Sequence, residues 1–287
     1  MKQITILSGK GGTGKTTITA CYAALSNNAV LADCDVDASN LHLLLNPKIQ
    51  ETIEFKGLNV AYIDRDKCIE CGKCEELCRF NAIKDFNVDP IHCEGCKVCV
   101  VNCPVGAIEF NERICGYAYI SETEYGPMSH ARLTPGMENS GKLVTLVRQN
   151  ASKIAEKMNK ELVLVDGPPG LGCPVIASLA NIDASVVVVE PTLSGIHDLK
   201  RALGLLDHFD VTPYVVINKH DINEDNTGEL EKYCNENGIL VLGRIPFDPL
   251  VTTSMVQGVP VIEFDSEAPS SKAIKKTWEE FNKHILA

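Results

Sequence analysis

Short apolar runs separated by stretches of helical spacing recur along most of this chain, and they set its expected architecture. Ile4, Thr5, Ile6 and Leu7 centre a buried strand over 2–7, a glycine-rich turn follows, and helical spacing resumes from Thr17 to Leu25. A second strand is expected at 29–32, then an apolar helix through Leu45 that stops at the Asn46-Pro47 turn. Further buried strands fall at 161–165, 184–189, 214–217 and 239–242, with helix-like segments between them. Strands alternating with helices predict an α/β fold built on a doubly wound, mostly parallel sheet. The pattern breaks twice. From about Asp64 to Arg113 the segments are short, charged and punctuated by cysteine, which reads as an insertion; 121–141, rich in Gly, Pro, Ser and Met, reads as a long irregular connection. The expected division is therefore 1–62 and 114–287 for the main domain and 63–113 for the insert.

The insert carries C-x2-C-x2-C-x3-C twice, as Cys68, Cys71, Cys74, Cys78 and as Cys93, Cys96, Cys99, Cys103, with flanks RFNAI and PVGAI repeating at a period of 25. Duplication of a small half-unit is the natural reading. Three thiolates on one tight loop suit three irons of a cubane, while the fourth comes from elsewhere. Zinc or a disulfide framework is the competing reading, but zinc knuckles pair C-x2-C with longer gaps and disulfides need no such phasing. The runs resemble bacterial two-cluster ferredoxins. That resemblance implies a small α+β fold and two [4Fe-4S] clusters, one on Cys68, Cys71, Cys74 and Cys103, the other on Cys93, Cys96, Cys99 and Cys78. Arg79 stands where a proline often follows the fourth cysteine, whereas Pro104 keeps it in the second run.

The formal charge of −11 disfavours sequence-independent nucleic-acid binding, which needs a basic footprint. The tail IKKTWEEFNKHILA alternates signs and reads as an ordinary surface helix, so no stable membrane anchor is expected. Thirteen cysteines without a recognisable export segment suggest a reducing, cytoplasmic setting.

Gly9, Gly14, Lys15 and Thr16 satisfy G-x4-G-K-[ST] between a strand and a helix. In that context the backbone of Gly11, Gly12, Thr13, Gly14, Lys15, Thr16 and Thr17 would cradle phosphates, Lys15 would neutralise them, and Thr16 would ligate Mg2+. Lys10 adds a second lysine at the start of the loop. With ADCDVDASNL, VLVDGPPG and VINKHD, this deviant loop resembles the MinD/ParA/Mrp group within the signal-recognition and nitrogenase-iron-protein (SIMIBI) class of P-loop NTPases, over 1–62 and 142–287. The resemblance implies an ATP-sandwiched homodimer with Lys10 reaching the partner's nucleotide. It further implies that Asp35 positions the attacking water, that Asp33 is a second switch carboxylate, that Asp166 holds Mg2+ through water, and that Gly167 donates to the γ-phosphate. Asn218, then Lys219 and Asp221, would contact the base, with Pro246 and Asp248 closing its pocket and ATP favoured over GTP. Asp37 is expected to cap or to be solvated.

Outside the cluster runs, Cys21 and Cys34 read as small buried hydrophobes. Cys173, seven residues after Asp166, reads chiefly as a plain switch-region thiol, with subunit bridging as the rarer option and Cys115 as a poor further donor. His130 reads as a solvated loop histidine, with a functional contact on the long loop as the alternative, and His42 as structural. The function expected is a hydrolase coupling ATP to electron transfer toward an unidentified partner. The alternatives are a cluster carrier or assembly ATPase of Mrp type acting on apo-proteins, and a MinD-like positioning ATPase with a redox sensor.

Overall fold

A computed structural model describes residues 1–26, 28–135 and 140–286. In chain order its elements are β1 (Lys2–Ser8), α1 (Lys15–Leu25), β2 (Ala29–Asp33), α2 (Leu41–Leu45), β3 (Lys48–Ile63), α3 (Lys73–Leu77), β4 (Ile83–Lys84), β5 (Asn87–Val88), α4 (Val98–Asn102), β6 (Ile108–Thr123) and β7 (Gly126–Leu133). They continue with α5 (Ser140–Lys157), β8 (Leu162–Pro169), α6 (Cys173–Leu179), β9 (Ala184–Val189), α7 (Leu193–His208), β10 (Thr212–Asn218), α8 (Glu224–Glu236), β11 (Leu240–Ile245), α9 (Pro249–Val256), α10 (Val261–Phe264) and α11 (Pro269–Phe281). The chain divides into two compact units. One comprises Met1–Thr52, Ala118–Arg132 and the chain from Ser140; the other comprises Ile53–Tyr117 and the segment that begins at Leu133.

The main sheet runs β11-β10-β9-β1-β8-β2-β7-β6-β3, and the pairings among β11, β10, β9, β1, β8, β2 and β7 are parallel. β9, buried at every position because both faces are covered, is apolar except at Ser185, whose hydroxyl donates to Thr5 O at 2.9 Å. One face carries α1, α2, α10 and α11, where Trp278 and Phe281 stack and Tyr22 meets both at a tilt, with centroids 4.9–5.3 Å apart. The other carries α6, α7 and α8. The parallel register brings the ends of β1, β2 and β8 together, pairing Asp33 with Asp166 at the edge where β1 enters the glycine loop.

Two expectations are corrected here. The stretch 121–141 is not an irregular connection: β6 continues to Thr123, Glu124 and Tyr125 turn the chain, β7 follows, and α5 starts at Ser140. Its burial on both faces leaves no polar alternation to advertise a strand; positions 136–139 lie outside the described residues. His130, expected on a solvated loop, is buried in β7, where its Nε2 meets Ser121 Oγ at 2.8 Å and burial pushes the imidazolium down to about 4. β3 and β6, each sixteen residues long, cross the bounds of the second compact unit.

In that second unit the duplication is written into the backbone. The left-handed residues Glu70, Gly72 and Asn81 recur 25 positions later as Gly95, Lys97 and Gly106, and α3 recurs as α4. Its hydrophobic cluster has Ala61, Ile63, Ile83 and Ile108 as buried members, with six cysteines packed against them.

Candidate functional site

Gly12 and Gly14 hold φ of 81° and 91°, conformations that resist a side chain. Gly14 also has Asn218 against it: a Cβ there would stand 2.3 Å from the Asn218 amide nitrogen. Lys15 opens α1, and its ammonium lies 2.9 Å from Asp166 Oδ1. Thr16 Oγ1 donates to Asp166 Oδ2 at 2.8 Å and Thr19 Oγ1 to Oδ1 at 3.0 Å, so this fully buried carboxylate is surrounded by donors. Burial disfavours the Lys15 ammonium, yet Asp166, Asp35 and Asp33 outweigh it and hold its pKa above the ordinary lysine value.

Asp33, one strand over, accepts from Ser39 Oγ at 2.6 Å and from the Asp35 N–H at 3.1 Å. Burial and then the charge of Asp166 push its pKa up to about 7, against the pull of Ser39 and Lys15. Asp35, half-buried, is also raised, first by desolvation, while Lys15 opposes the shift. Asp37 is exposed.

A cavity of about 590 Å³, within the range of small-molecule sites, is lined by Gly11 to Thr17 together with Asp35, Asn218, Lys219, Pro246 and Asp248. Its apolar wall includes Leu43, Phe247, Val251 and Met255. Gly9, Lys10, Asp166 and Gly167 are absent from that lining. Asp166 lies beneath Lys15 and Thr16, and Gly167 packs so closely that a Cβ would stand 2.5 Å from Leu7 Cδ2. Gly9 and Lys10 border a separate crevice with Glu190, Gly195 and Asp198. Around the expected base pocket, Asn218 Nδ2 donates to Thr13 O at 2.8 Å. Asp248 faces the cavity but spends its oxygens as a cap, accepting from Leu250 N at 3.0 Å and Ser270 Oγ at 2.7 Å. Asp221 accepts from Phe247 N at 2.7 Å. A second cavity of about 530 Å³, lined by Lys2, Leu25, Glu161 and Trp278, gathers no comparable chemistry.

The eight cysteines of the second unit sort into two cradles. Cys78 joins Cys93, Cys96 and Cys99 around one, and Cys103 joins Cys68, Cys71 and Cys74 around the other. The Ala82 N–H donates to Cys78 Sγ and the Ala107 N–H to Cys103 Sγ, both at 3.3 Å, again 25 residues apart. Among the described residues no three His, Cys, Asp or Glu converge tightly enough to hold one metal ion. Among the other cysteines, Cys21, Cys34, Cys115 and Cys234 are buried, with burial pushing the Cys21 thiol up to about 12 and Cys234 up to about 11, while Cys173 is exposed at the start of α6.

Sequence reasoning missed Thr19, Ser39 and Glu190. Thr19 follows Lys15 by one helical turn, and Glu190 ends an apolar strand in the same manner as Asp166; both patterns were readable. Nothing local marks Ser39 as the partner of Asp33.

A glycine loop joining a buried parallel strand to a helix, with a strand-end aspartate behind its lysine, defines a P-loop nucleotide-binding protein. Residues 4–261 match the CobQ/CobB/MinD/ParA nucleotide binding domain, and the chain belongs to that family. An uncharacterized protein of Methanocaldococcus jannaschii is 35% identical over 99% of this chain and 97% of its own length. The septum site-determining protein MinD of Neisseria meningitidis is 26% identical over 94% of this chain and 87% of its own. Among solved structures, MinD of Pyrococcus horikoshii complexed with Mg-ADP superposes with a TM-score of 0.61 at 17% identity, covering 100% of this chain and 98% of that one. Among the described residues no helix is long and apolar enough to cross a membrane.

Proposed function

We propose that this chain is an ATP-hydrolysing switch of the MinD/ParA type that also holds two [4Fe-4S] clusters, so that one polypeptide couples nucleotide state to electron transfer toward a partner protein. The observation that carries the reading is the sorting of eight cysteines into two quartets, each taking its fourth member from the other run. The donor set fits: thiolates line the cradles, backbone N–H groups already face Cys78 and Cys103, and all thirteen cysteines are free. A unit this small, whose core is largely sulfur, needs a staple beyond its few aliphatic side chains. Bound there, the clusters would supply one-electron chemistry at potentials tuned by exposure and by hydrogen bonds to sulfur.

On the nucleotide side, Lys15 would exchange the Asp166 carboxylate for phosphate, leaving Asp166 and Thr16 to serve Mg2+. Asp35 borders the cavity and has a raised pKa, which suits a group handling the proton of an attacking water. Gly167 would serve the γ-phosphate, and Asn218, Pro246 and Asp248 would serve the base, with Asp248 acting through the cap it forms. Two copies would enclose the nucleotides, with Lys10 serving the opposite site and positioning and charge neutralisation driving hydrolysis.

Anaerobically purified protein should contain about eight irons and eight sulfides per chain and hydrolyse ATP in a Mg2+-dependent reaction that Lys15→Ala abolishes. Zinc without acid-labile sulfide would overturn the cluster reading and leave the ATPase reading standing.

A further inference from the structure

Glu190 follows β9 directly, and its carboxylate is only 11% exposed, yet two ammonium groups reach it. Lys219 Nζ lies 2.5 Å from Oε1, and Lys10 Nζ lies 3.4 Å from Oε2. Lys10 Nζ also stands 3.4 Å from the hydroxyls of Thr192 and Ser194. These contacts keep Lys10 in the crevice beside Gly195 and Asp198, outside the lining of the nucleotide cavity. The lysine that distinguishes this loop from an ordinary phosphate loop is therefore turned away from its own site.

We infer that Glu190 is a positioning residue that stows Lys10 within its own chain and releases it when Lys10 engages the nucleotide of a second copy; this rests on the two-chain reading above. Two features make Lys10 the lysine that leaves. Its contacts are all at the long end of hydrogen-bonding range. Lys219, by contrast, is fixed: its backbone is left-handed at φ 54°, its N–H donates to Asn218 Oδ1 at 3.0 Å, and its ammonium also approaches Gly12 O at 3.4 Å. Departure of one partner from a buried carboxylate is normally costly because the charge is left uncompensated. Here Lys219 remains on Glu190, so release of Lys10 leaves a paired acid behind.

Sedimentation of the full, cluster-loaded chain with Mg2+ and a non-hydrolysable ATP analogue tests this. Glu190→Gln removes the stowing charge, and self-association should set in at about tenfold lower protein concentration than in the wild type, a difference of about 1.4 kcal/mol. Glu190→Asp, which keeps the charge, should behave like the wild type, and adding Lys10→Ala to Glu190→Gln should erase the gain, which a purely structural role for Glu190 would not require. An unchanged or weakened association of Glu190→Gln, or a gain that survives without Lys10, overturns the stowage. If the wild type binds the analogue and neither it nor Glu190→Gln associates, the two-chain reading itself falls, and the stowage with it.

Discussion

Asp33 is fully buried beside a second carboxylate, and three neighbours, Ser39 Oγ, the Asp35 N–H and the Lys15 ammonium, do not fully offset that environment. Its pKa near 7 in the folded chain stands above the value of about 3.9 in an unfolded one. The native state therefore binds more protons between these limits, and the contribution of Asp33 to stability is greatest below about pH 4 and is lost as the pH rises through 7. Asp33→Asn cannot ionise, so thermal unfolding should show the variant gaining on the wild type from pH 5.5 to pH 7.5, with an effect on the order of 2 kcal/mol. A constant difference between the two proteins across that range would show that Asp33 is ionised throughout. The phosphate loop was legible in the sequence because its glycines and Lys15 stand close together between a strand and a helix. The state of Asp33 was not, because it is set by Asp166 across the sheet and by Ser39 beyond the strand end.

At the scale of elements, the strands and helices of the main unit follow from apolar runs of ordinary length, and the parallel pairing follows from the helices between them, whereas the strand order is set by tertiary packing that no local run encodes. The hairpin of β6 and β7 escaped because Gly126-Pro127, the turn signal beside Glu124 and Tyr125, merged with the Gly, Pro and Ser beyond it into what read as one loop, and the doubly buried second strand shows no polar alternation. In the second unit the cysteine period of 25 predicted a duplication, and the left-handed backbone positions obey the same period although their residues do not. Glu70 and Gly95 occupy equivalent places, yet Gly95 has a φ of 62° and a Cβ there would stand 2.4 Å from Asn59 O. Gly106 has the same φ with nothing within 4 Å of a Cβ. Gly106→Ala should thus cost only the backbone term, about 1 kcal/mol, whereas Gly95→Ala adds a collision with main chain and should cost about 2–3 kcal/mol. Thermal unfolding of both variants separates the two terms; equal losses would mean that Asn59 yields freely and that backbone conformation alone matters.

For the whole molecule, the phosphate loop and the two cysteine runs lie in different compact units, and the chain passes between those units within β3 and β6. If the proposed clusters and the nucleotide site communicate, thermodynamics makes the effect reciprocal: a nucleotide that shifts a cluster potential must have its own affinity shifted by cluster reduction to the same degree. A change of about 60 mV in a one-electron couple corresponds to about 1.4 kcal/mol, or tenfold in affinity. Potentiometric titration of the anaerobic protein without nucleotide, with Mg-ADP, and with a non-hydrolysable ATP analogue should therefore give distinct potentials. Analogue affinity measured on oxidised and reduced protein should differ by the matching factor. Asp35→Ala, which leaves the phosphate loop intact while removing a carboxylate from the cavity wall, should hold the ATP state and allow the same titration with ATP itself. Equal potentials in all three states, with affinity indifferent to reduction, would rule out intrinsic gating. Partner docking that responds to ATP, or carriage of the clusters to an apo-protein, would then be the better account.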